Sequence, residues 1–588
     1  MENSPFHQLP DELLEAIIWL LPPAETLAFG ATSRRGNKIA YEDLVWRAHC
    51  VNGWRYWESS HELEGKLKQP AAATLWRQLY IKREHFDRKA LATFNELLKT
   101  QQHRIQRTED ISGLGYDAKD LLLSLRNETP DDAEDVLARR WYADAVLGQI
   151  HRKTALEKWT RIHKRQMVRL EEVLGAYDMF ILGGNKGDLN DIDQEFDRLA
   201  EGVRQEYEGF DGMSIRDKAT RVAQYLKMRQ LVDNKDVENY HALRNNFLSM
   251  ALFDDVHTSL PLQSVAIYCA VARRLGVNAK PSNYPEHVHA VIEAPLDVTL
   301  DGRERAATQD QEPEFMFMDP WRQSEEVPQD QLTLRLTQMG VPQAQHANHL
   351  GPGSNLAIIL RAGRNIMYSV QQARDRQRGN PRESSRPDTE AAWYSMLWSM
   401  MILGDPDPAA ALHRRRQCLP YIAEHFQQHF PEDLGFVEKI IGPMFDGERE
   451  SHVLMHVFTS NRAGDRNAKA PNRRDSEEKQ AQCKIGHYFQ HKRFGYEGIV
   501  VGWDHKCTAD PRWIHQMRVD DLPGGREQPF YNVIADDRSA RYVAEENIQR
   551  LYMRPPENLM QLAGKWFKRW DDGTKSFTSN IKDEYPDD

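Results

Sequence analysis

The first fifty or so residues carry more Leu, Ile and Trp than a unit of that size can bury within itself. Leu9 precedes Pro10, Asp11 and Glu12, and apolar residues then follow at helical spacing. Pro10 suits the start of a helix, where its missing N–H would be unpaired in any case, and the two acidic residues favour the positive end of the helix dipole. The resulting apolar stripe is wide and consists of Leu9, Leu13, Leu14, Ile17 and Leu21. Because a small unit buries only part of its surface, we expect some of this stripe to contact a partner.

The same segment predicts three short helices. The first ends before Pro22-Pro23, the second covers residues 24–29 and the third covers residues 43–50. The order L-P-D-E-L-L, then I-I and L-L, then V-W at 45–46 resembles an F-box, which docks substrate receptors onto the Skp adaptor of cullin–RING ubiquitin ligases. The resemblance implies that the adaptor contacts Leu9, Pro10, Leu13, Leu14, Ile17 and Leu21. Trp46 matches the terminal Trp of the motif, either as a contact or as a core residue. The alternative for the whole segment is an ordinary helical hairpin packed on its own domain.

Composition excludes several classes of protein. With 588 residues, 40% hydrophobic and 28% charged, the chain is expected to be a globular protein of several domains. No apolar run is long enough for a membrane span, and Glu12 and Glu15 interrupt the apolar stretch that a signal peptide would need. Five widely spaced Cys favour reduced thiols and a cytoplasmic or nuclear location, with no membrane partner. The net charge of −11 does not favour a general nucleic-acid binder.

A second motif lies in the middle of the chain. Leu260-Pro261 predicts the start of a helix that ends before Gly276. The run L-P-L-Q-S-V-A-I-Y-C-A-V-A-R-R-L-G-V, then N-Y-P-E-H-V-H-A-V-I and F-M-D-P-W, resembles the transglutaminase-like superfamily in its SirB-type branch. Active members use Cys–His–Asp, with the Cys at the helix N-terminus, where the dipole favours thiolate. This chain has Leu262, Gln263 and Ser264 there, and Cys269, two turns further on, is expected to be a buried core thiol.

The other two members of that catalytic triad have counterparts. His287 matches the branch's P-x-H position, His289 matches the H-A-V of active enzymes, and Asp319 matches the position that orients the His. The segments 287–294 and 315–319 are expected to pair as a hairpin-like unit. Because His287, His289 and Asp319 have no thiol with them, they are vestigial candidates and the domain is predicted to be non-catalytic. It is expected to hold no metal and no cofactor, and its cleft could still bind peptide. The alternative is an altered peptidase or hydrolase, with Ser264 as a weaker nucleophile.

The C-terminal part predicts short strands and turns. The segments 484–487, 494–504, 529–533 and 542–548 resemble the YccV/HspQ-type domain, which carries a hemimethylated-DNA-binding label and has an SH3-like barrel fold. Residues 484–550 contain ten Lys or Arg and ten Asp or Glu, so their formal net charge is zero. Since cations that neutralise phosphates supply most DNA affinity, this balance favours protein recognition over DNA. A DNA or chromatin reader remains the alternative.

These segments together predict a multidomain α+β protein. The domains are an F-box at 1–50, a Trp-rich helical connector at 51–168, a transglutaminase-like domain at 169–335, a helical extension at 336–459, a linker at 460–482 and a β barrel with a C-terminal tail at 483–588. This order resembles a family of F-box proteins that combine the same three domains. It implies a substrate-recognition subunit of an SCF-type (Skp–cullin–F-box) E3 ubiquitin ligase. Its partners would be a Skp-type adaptor, through it a cullin–RING ligase, and an unknown protein substrate.

Overall fold

A computed structural model describes most of the chain. The described residues are 9–184, 186–233, 238–305, 312–379, 386–404, 407–474 and 481–588, without the side chains of 377–379. The chain divides into two compact units. The first unit runs to Ile150 and resumes at Gly442, and the second comprises His151–Ile441. No helix in the described ranges is both long and apolar enough to span a bilayer.

The first unit begins with four helices where the sequence predicted three. They are α1 (Asp11–Ile18), α2 (Pro23–Gly30), α3 (Arg34–Ala40) and α4 (Asp43–Gly53). The missed helix α3 is short and polar, and the Ser33 hydroxyl caps it by accepting the Gly36 N–H at 2.9 Å. Leu14, Ile18, Ile39 and Val45 form a small core under these helices.

The predicted helical connector follows. It contains α5 (Leu63–Leu67), α6 (Trp76–Lys99), α7 (Arg104–Ser112), α8 (Lys119–Asn127) and α9 (Val136–His163). Trp46, Cys50 and Trp76 form a second core cluster, which joins α4 to the start of α6. The connector therefore packs on the N-terminal helices through buried aromatic side chains.

The second unit places a small sheet among helices. Its first elements are α10 (Leu170–Ile181), α11 (Leu189–Glu206), α12 (Ile215–Met228), α13 (Leu248–Phe253), α14 (Pro261–Arg274), β1 (Asn278–Pro281), β2 (Ala290–Glu293), β3 (Phe315–Met318) and β4 (Glu326–Val327). The four strands form an antiparallel sheet in the order β1-β2-β3-β4. Ala290 lies opposite Met318 and Glu293 opposite Phe315, which confirms the predicted hairpin-like pair.

Helices follow this sheet, as predicted. They are α15 (Gln329–Gln338), α16 (Gln343–Leu350), α17 (Asn355–Gly379), α18 (Thr389–Ile402), α19 (Pro408–His429), α20 (Leu434–Phe436) and, in the first unit again, α21 (Glu450–Arg466). The prediction of a linker from residue 460 was wrong for residues 460–466, which are the end of α21. The Asp465 carboxylate accepts the Ile105 N–H at 2.9 Å, so this segment packs on α7. Residues 475–480 of the predicted linker lie outside the described residues.

The C-terminal domain is rich in strands, as predicted. Its elements are β5 (Tyr488–His491), β6 (Glu497–Asp504), α22 (Pro511–Gln516), β7 (Phe530–Ala535), β8 (Ala540–Ala544), β9 (Ile548–Arg550), α23 (Glu557–Ala563), β10 (Phe567–Asp571) and β11 (Ser576–Ser579). Five strands form an antiparallel sheet in the order β8-β7-β6-β5-β9, and β10 pairs with β11. Helix α22 begins at Pro511, and the Asp510 carboxylate caps it by accepting the Arg512 N–H.

A buried guanidinium holds α6 against other segments of the connector. Arg83 in α6 has no exposed surface and pairs with Asp87, and its Nε lies 3.3 Å from Asp117 Oδ1. Its guanidinium carbon lies 5.1 Å from the centre of the Trp54 ring and 5.7 Å from that of Trp57. Removal of one partner from such a buried ionic cluster leaves the other charges uncompensated, which is strongly destabilising.

We therefore expect Arg83→Met to lower the local stability of the connector by about 3–5 kcal/mol. Hydrogen exchange of the α6 amides measures this loss as about a hundredfold or greater acceleration. The matched control is Arg88→Met on the same helix, which removes an exposed ion pair with Glu84 and should cost less than about 1 kcal/mol. Equal exchange rates in the two variants would show that the buried cluster does not stabilise the connector.

Candidate functional site

Ser264, the hydroxyl near the N-terminus of α14, is not accessible to substrate. Pro261 is the first residue of the helix, and the residues from Pro261 to Ala272 are all buried. Ser264 has no exposed surface, and its Oγ lies 2.6 Å from Ser259 Oγ. The Gln263 side-chain amide donates to the backbone oxygen of Asn246 at 2.8 Å. The hydroxyl that could replace a thiol is therefore already hydrogen-bonded inside the core.

Cys269 is the core thiol that the sequence predicts. It is 2% exposed and lies two turns into α14. Burial raises the pKa of its thiol to about 12. A thiol with this pKa is almost entirely protonated at neutral pH and is not a nucleophile.

The structure brings His287 and Asp319 together. Nε2 of His287 lies 2.8 Å from Oδ2 of Asp319, and the Asp319 carboxylate also accepts the Arg322 N–H at 3.2 Å. Burial favours the neutral acid, but the hydrogen bond and charge of His287 outweigh it and lower the pKa of Asp319 below its usual range. The base and its orienting carboxylate are thus present as a dyad. His287 lies just before β2, although the strand-like segment was expected to begin at this residue.

His289 is the buried neighbour of this dyad. Its ring centre lies 5.1 Å from that of His287 and 5.0 Å from that of Tyr284, and it is 1% exposed. Its Nδ1 has no hydrogen-bond partner among the described residues. Burial lowers the pKa of His289 to about 4, so the ring is neutral at physiological pH.

Among the residues that the structure describes, two clusters have donor atoms close enough for a metal ion. One is His287, His289 and Asp319, and the other is Glu390, His425 and His429, each with donor atoms within 4.8 Å of one another. In the first cluster, the His287–Asp319 hydrogen bond occupies one donor atom of each residue. In the second, His425 Nε2 bonds to the backbone oxygen of Glu390 at 2.9 Å. The absence of a metal stays a prediction.

The predicted adaptor-binding stripe is split between core and surface. Leu14 was predicted to contact the adaptor, but it is 3% exposed and belongs to the core. It therefore does not lie on the surface. Leu9 and Leu21 are partly buried against the same core, whereas Pro10 is exposed. Leu13 and Ile17 are 51% and 40% exposed. These two residues are the most exposed members of the predicted stripe.

Further large apolar side chains are exposed close to these two in sequence. Trp19, Leu20 and Leu27 are 38%, 85% and 39% exposed, and none of them was in the predicted set. Trp19 and Leu20 follow the last residue of α1, where helical spacing no longer predicts which way a side chain points. We call Leu13, Ile17, Trp19, Leu20 and Leu27 the N-terminal apolar face. Trp46 is instead a core residue, 2% exposed, whose ring N–H donates to the Ala40 oxygen at 2.9 Å.

The C-terminal domain pairs many of its charges internally. Arg526 pairs with Asp520 and Arg541 pairs with Asp537. The Lys492 ammonium donates to the Glu546 backbone oxygen at 2.8 Å. Its larger aromatics are mostly core, including Tyr488, Trp503, Phe530 and Tyr531, whereas Phe494 is 66% exposed. Arg526 and Arg541 therefore already have carboxylate partners within the domain.

The first prediction for this site concerns thiol reactivity. In the folded chain at pH 8 we expect iodoacetamide to leave Cys269 unmodified, because its thiolate fraction is on the order of one in ten thousand and its side chain is buried. Cys507 is partly exposed and serves as the internal control. Peptide mass spectrometry resolves the two sites. Alkylation of Cys269 as fast as Cys507 would indicate a reactive thiol.

The second prediction concerns acid stability. Between the unfolded pKa of His289, about 6.5, and its folded pKa of about 4, the unfolded chain binds a proton that the folded chain excludes. Stability therefore falls as the pH drops through this window, by roughly 3 kcal/mol in total for this group. We expect His289→Gln to flatten the dependence of the urea midpoint on pH between 6.5 and 4. Parallel profiles for the natural chain and the His289→Gln variant would contradict the lowered pKa of His289. His425→Gln is a positive control, because the pKa of His425 is similarly lowered and its loss should flatten the profile as well.

Comparisons with known proteins agree with this architecture. Residues 190–364 match the family model described as Transglutaminase-like superfamily, and residues 481–574 match that described as Hemimethylated DNA-binding protein YccV like. No solved structure matches. "F-box only protein 21" of Pongo abelii is 22% identical over 622 residues, which cover 99% of this chain and 92% of that protein.

Two further relatives carry the same name. The protein of Homo sapiens is 22% identical over 629 residues, with the same coverage of 99% and 92%. That of Mus musculus is 24% identical over 348 residues, which cover 56% of this chain and 49% of that protein. Along nearly its whole length this chain is therefore similar to F-box only protein 21, and it contains a transglutaminase-like domain and a YccV-like domain.

Proposed function

We propose that this chain is the substrate-recognition subunit of an SCF-type E3 ubiquitin ligase and docks on a Skp-type adaptor through the N-terminal apolar face. The observation that carries the proposal is the exposure of five large apolar side chains on α1, α2 and the turn between them. Clustered exposed apolar residues of this kind mark protein interaction sites. The core below them is complete without them, since Leu14, Ile18, Ile39 and Val45 pack on one another.

The similarity to proteins named F-box only protein 21 supports the same role. In such a subunit, catalysis comes from proximity, because the receptor holds a substrate lysine near the ubiquitin-charged conjugating enzyme. Leu9, Pro10 and Leu21 lie at the edge of the face, and we assign them rim contacts. Leu14 supports the face from inside. The proposed location of the chain is cytoplasmic or nuclear.

We propose further that the transglutaminase-like domain is not an enzyme. The dyad of His287 and Asp319 lacks a nucleophile in reach of solvent, since Ser264 is fully buried and Cys269 is a protonated core thiol. An altered hydrolase acting through Ser264 would need a substrate carbonyl to reach this fully buried side chain. The domain is better suited to bind a protein segment than to cleave it.

For the YccV-like domain we propose contact with protein rather than duplex DNA. Its formal charge is balanced over residues 484–550, and Arg526 and Arg541 are already paired with carboxylates. DNA affinity depends on unpaired cations that displace counterions from phosphates. An exposed aromatic such as Phe494 adds contact area of the kind that protein interfaces favour.

The adaptor contact is tested by charge placed on the apolar face. We expect Leu13→Asp with Ile17→Asp to reduce capture of a purified Skp-type adaptor by the full chain at least tenfold, because it places two carboxylates in a desolvated interface. Both residues are exposed, so the fold should persist. Pull-down and calorimetry with the purified adaptor measure the loss.

The matched control carries the same charges elsewhere on the first unit. Leu75→Asp with Ile81→Asp alters side chains that are 66% and 50% exposed, and it should capture the adaptor as the natural chain does. Undiminished capture by the Leu13/Ile17 variant, with helical content intact, would place the docking surface elsewhere. No capture by the natural chain would overturn the proposed function itself.

A further inference from the structure

A polar cavity lies at the N-terminus of α14, within the second unit. Its volume is about 740 Å³, within the usual range for ligand pockets. Leu260, Pro261 and Leu262 form one wall, and Glu286 and Val288, on either side of His287, form part of another. We call this space the α14 cavity. It therefore adjoins the segment that carries the dyad, although α14 offers it no nucleophile.

Two arginines on α17 give the α14 cavity its charge. Arg361 and Arg364 are three residues apart, so they project from the same side of the helix, and both line the cavity. Arg361 is partly buried and donates to the Tyr284 backbone oxygen at 2.5 Å. Within the described part of the chain, neither guanidinium has a carboxylate at ion-pair distance. Glu286 is exposed and is the carboxylate among the lining residues.

This arrangement is costly in the empty protein. Burial, and then the neighbouring charge of Arg364, lower the pKa of Arg361 below its usual range, which means that its surroundings disfavour the cation. A partly desolvated charge without a counter-ion costs free energy unless a ligand provides one. Guanidinium groups match carboxylates in geometry, through two parallel hydrogen bonds.

We infer that the α14 cavity binds a carboxylate of a protein segment, with Arg361 and Arg364 as its counter-ions and an adjoining apolar side chain against Leu260, Pro261 and Val288. The remaining lining supports a peptide rather than a small anion alone. Asn283 and Asn365 provide amide groups for a peptide backbone, and Ile358 and Leu360 extend the apolar wall. The inference rests on the proposed function, since it assigns this cavity to substrate recognition.

The probe is a set of three pools of short peptides in which Ala, Leu, Val and Phe vary around one central residue. The first pool has a central Asp and an amidated C-terminus, the second has Asn and an amidated C-terminus, and the third has Asn and a free C-terminus. Affinity-selection mass spectrometry on the full chain measures retention. We expect the first or third pool to be retained about tenfold or more above the second, as loss of a charge-assisted contact predicts.

The pools also identify the source of the carboxylate. Preference for the first pool assigns an acidic side chain, and preference for the third assigns a chain terminus. Equal retention of all three pools by the natural chain would overturn the inference.

Substitutions assign the binding to this cavity. Arg361→Gln with Arg364→Gln should reduce retention of the preferred pool to that of the second pool, which carries no carboxylate. Arg364→Glu alone alters an exposed side chain, so it keeps the fold and should abolish the preference by charge repulsion. The control is Arg376→Gln, an exposed arginine on the same helix that lies about 18 Å further along it. Retention unchanged in the Arg364→Glu variant would overturn the inference.

Adaptor capture separates this test from that of the proposed function. The Arg364→Glu chain should still capture the Skp-type adaptor. The chain with Leu13→Asp and Ile17→Asp should still retain the peptide pool that the natural chain prefers. A natural chain that retains the pool but captures no adaptor would leave the cavity assignment in place and refute the ligase role.

Discussion

The organisation of the first unit depends on the contact between Asp465 and the start of α7. The Asp465 carboxylate accepts the Ile105 and Gln106 N–H groups at 2.9 and 3.3 Å, and its backbone oxygen accepts the His103 N–H at 2.6 Å. The first-turn amides of a helix have no partner within the helix, so α7 is capped by a residue from the far side of the chain. One helix turn further back, Arg462 forms a two-bond ion pair with Glu109. These contacts explain why the segments before and after the second unit form one compact unit.

The same unit contains both surfaces that we assign to protein partners. The Tyr142 hydroxyl of α9 donates to the Lys565 oxygen at 3.1 Å, after α23 of the C-terminal domain. At Gly564 an added Cβ would lie 2.3 Å from the Leu137 oxygen, so only glycine allows this close approach. At the other end, Arg83 fixes α6 to the segment that follows the N-terminal helices. A continuous set of packed helices therefore connects the N-terminal apolar face with the C-terminal domain, as a subunit that acts by proximity requires.

Local features of the sequence predicted most of the elements but few of the contacts between them. Pro261 after Leu260 predicted α14, and the short strand-like run at 315–319 predicted a strand, because both signals depend on neighbours in the chain. Which of the adjacent residues Leu13 and Leu14 is buried depends instead on Ile39 and Val45, whose helices pack on α1. The α14 cavity was missed for the same reason. Arg361 and Arg364 belong to a helix distant in sequence from the motif, and only the fold shows that no carboxylate of the described residues pairs with them.

The dyad of His287 and Asp319 is explained by folding alone. Asp319 is 2% exposed, and a buried carboxylate without a donor would be strongly unfavourable, so the His287 hydrogen bond compensates for its burial. Trp321 lies two residues after Asp319, and its ring N–H donates to the Ser259 oxygen at 3.0 Å. This bond holds the segment after β3, which carries Asp319, against the segment that leads into α14. Neither contact requires a reaction. On our proposal the domain is a scaffold, and binding in the α14 cavity depends on Arg361 and Arg364, which have no carboxylate at ion-pair distance among the described residues.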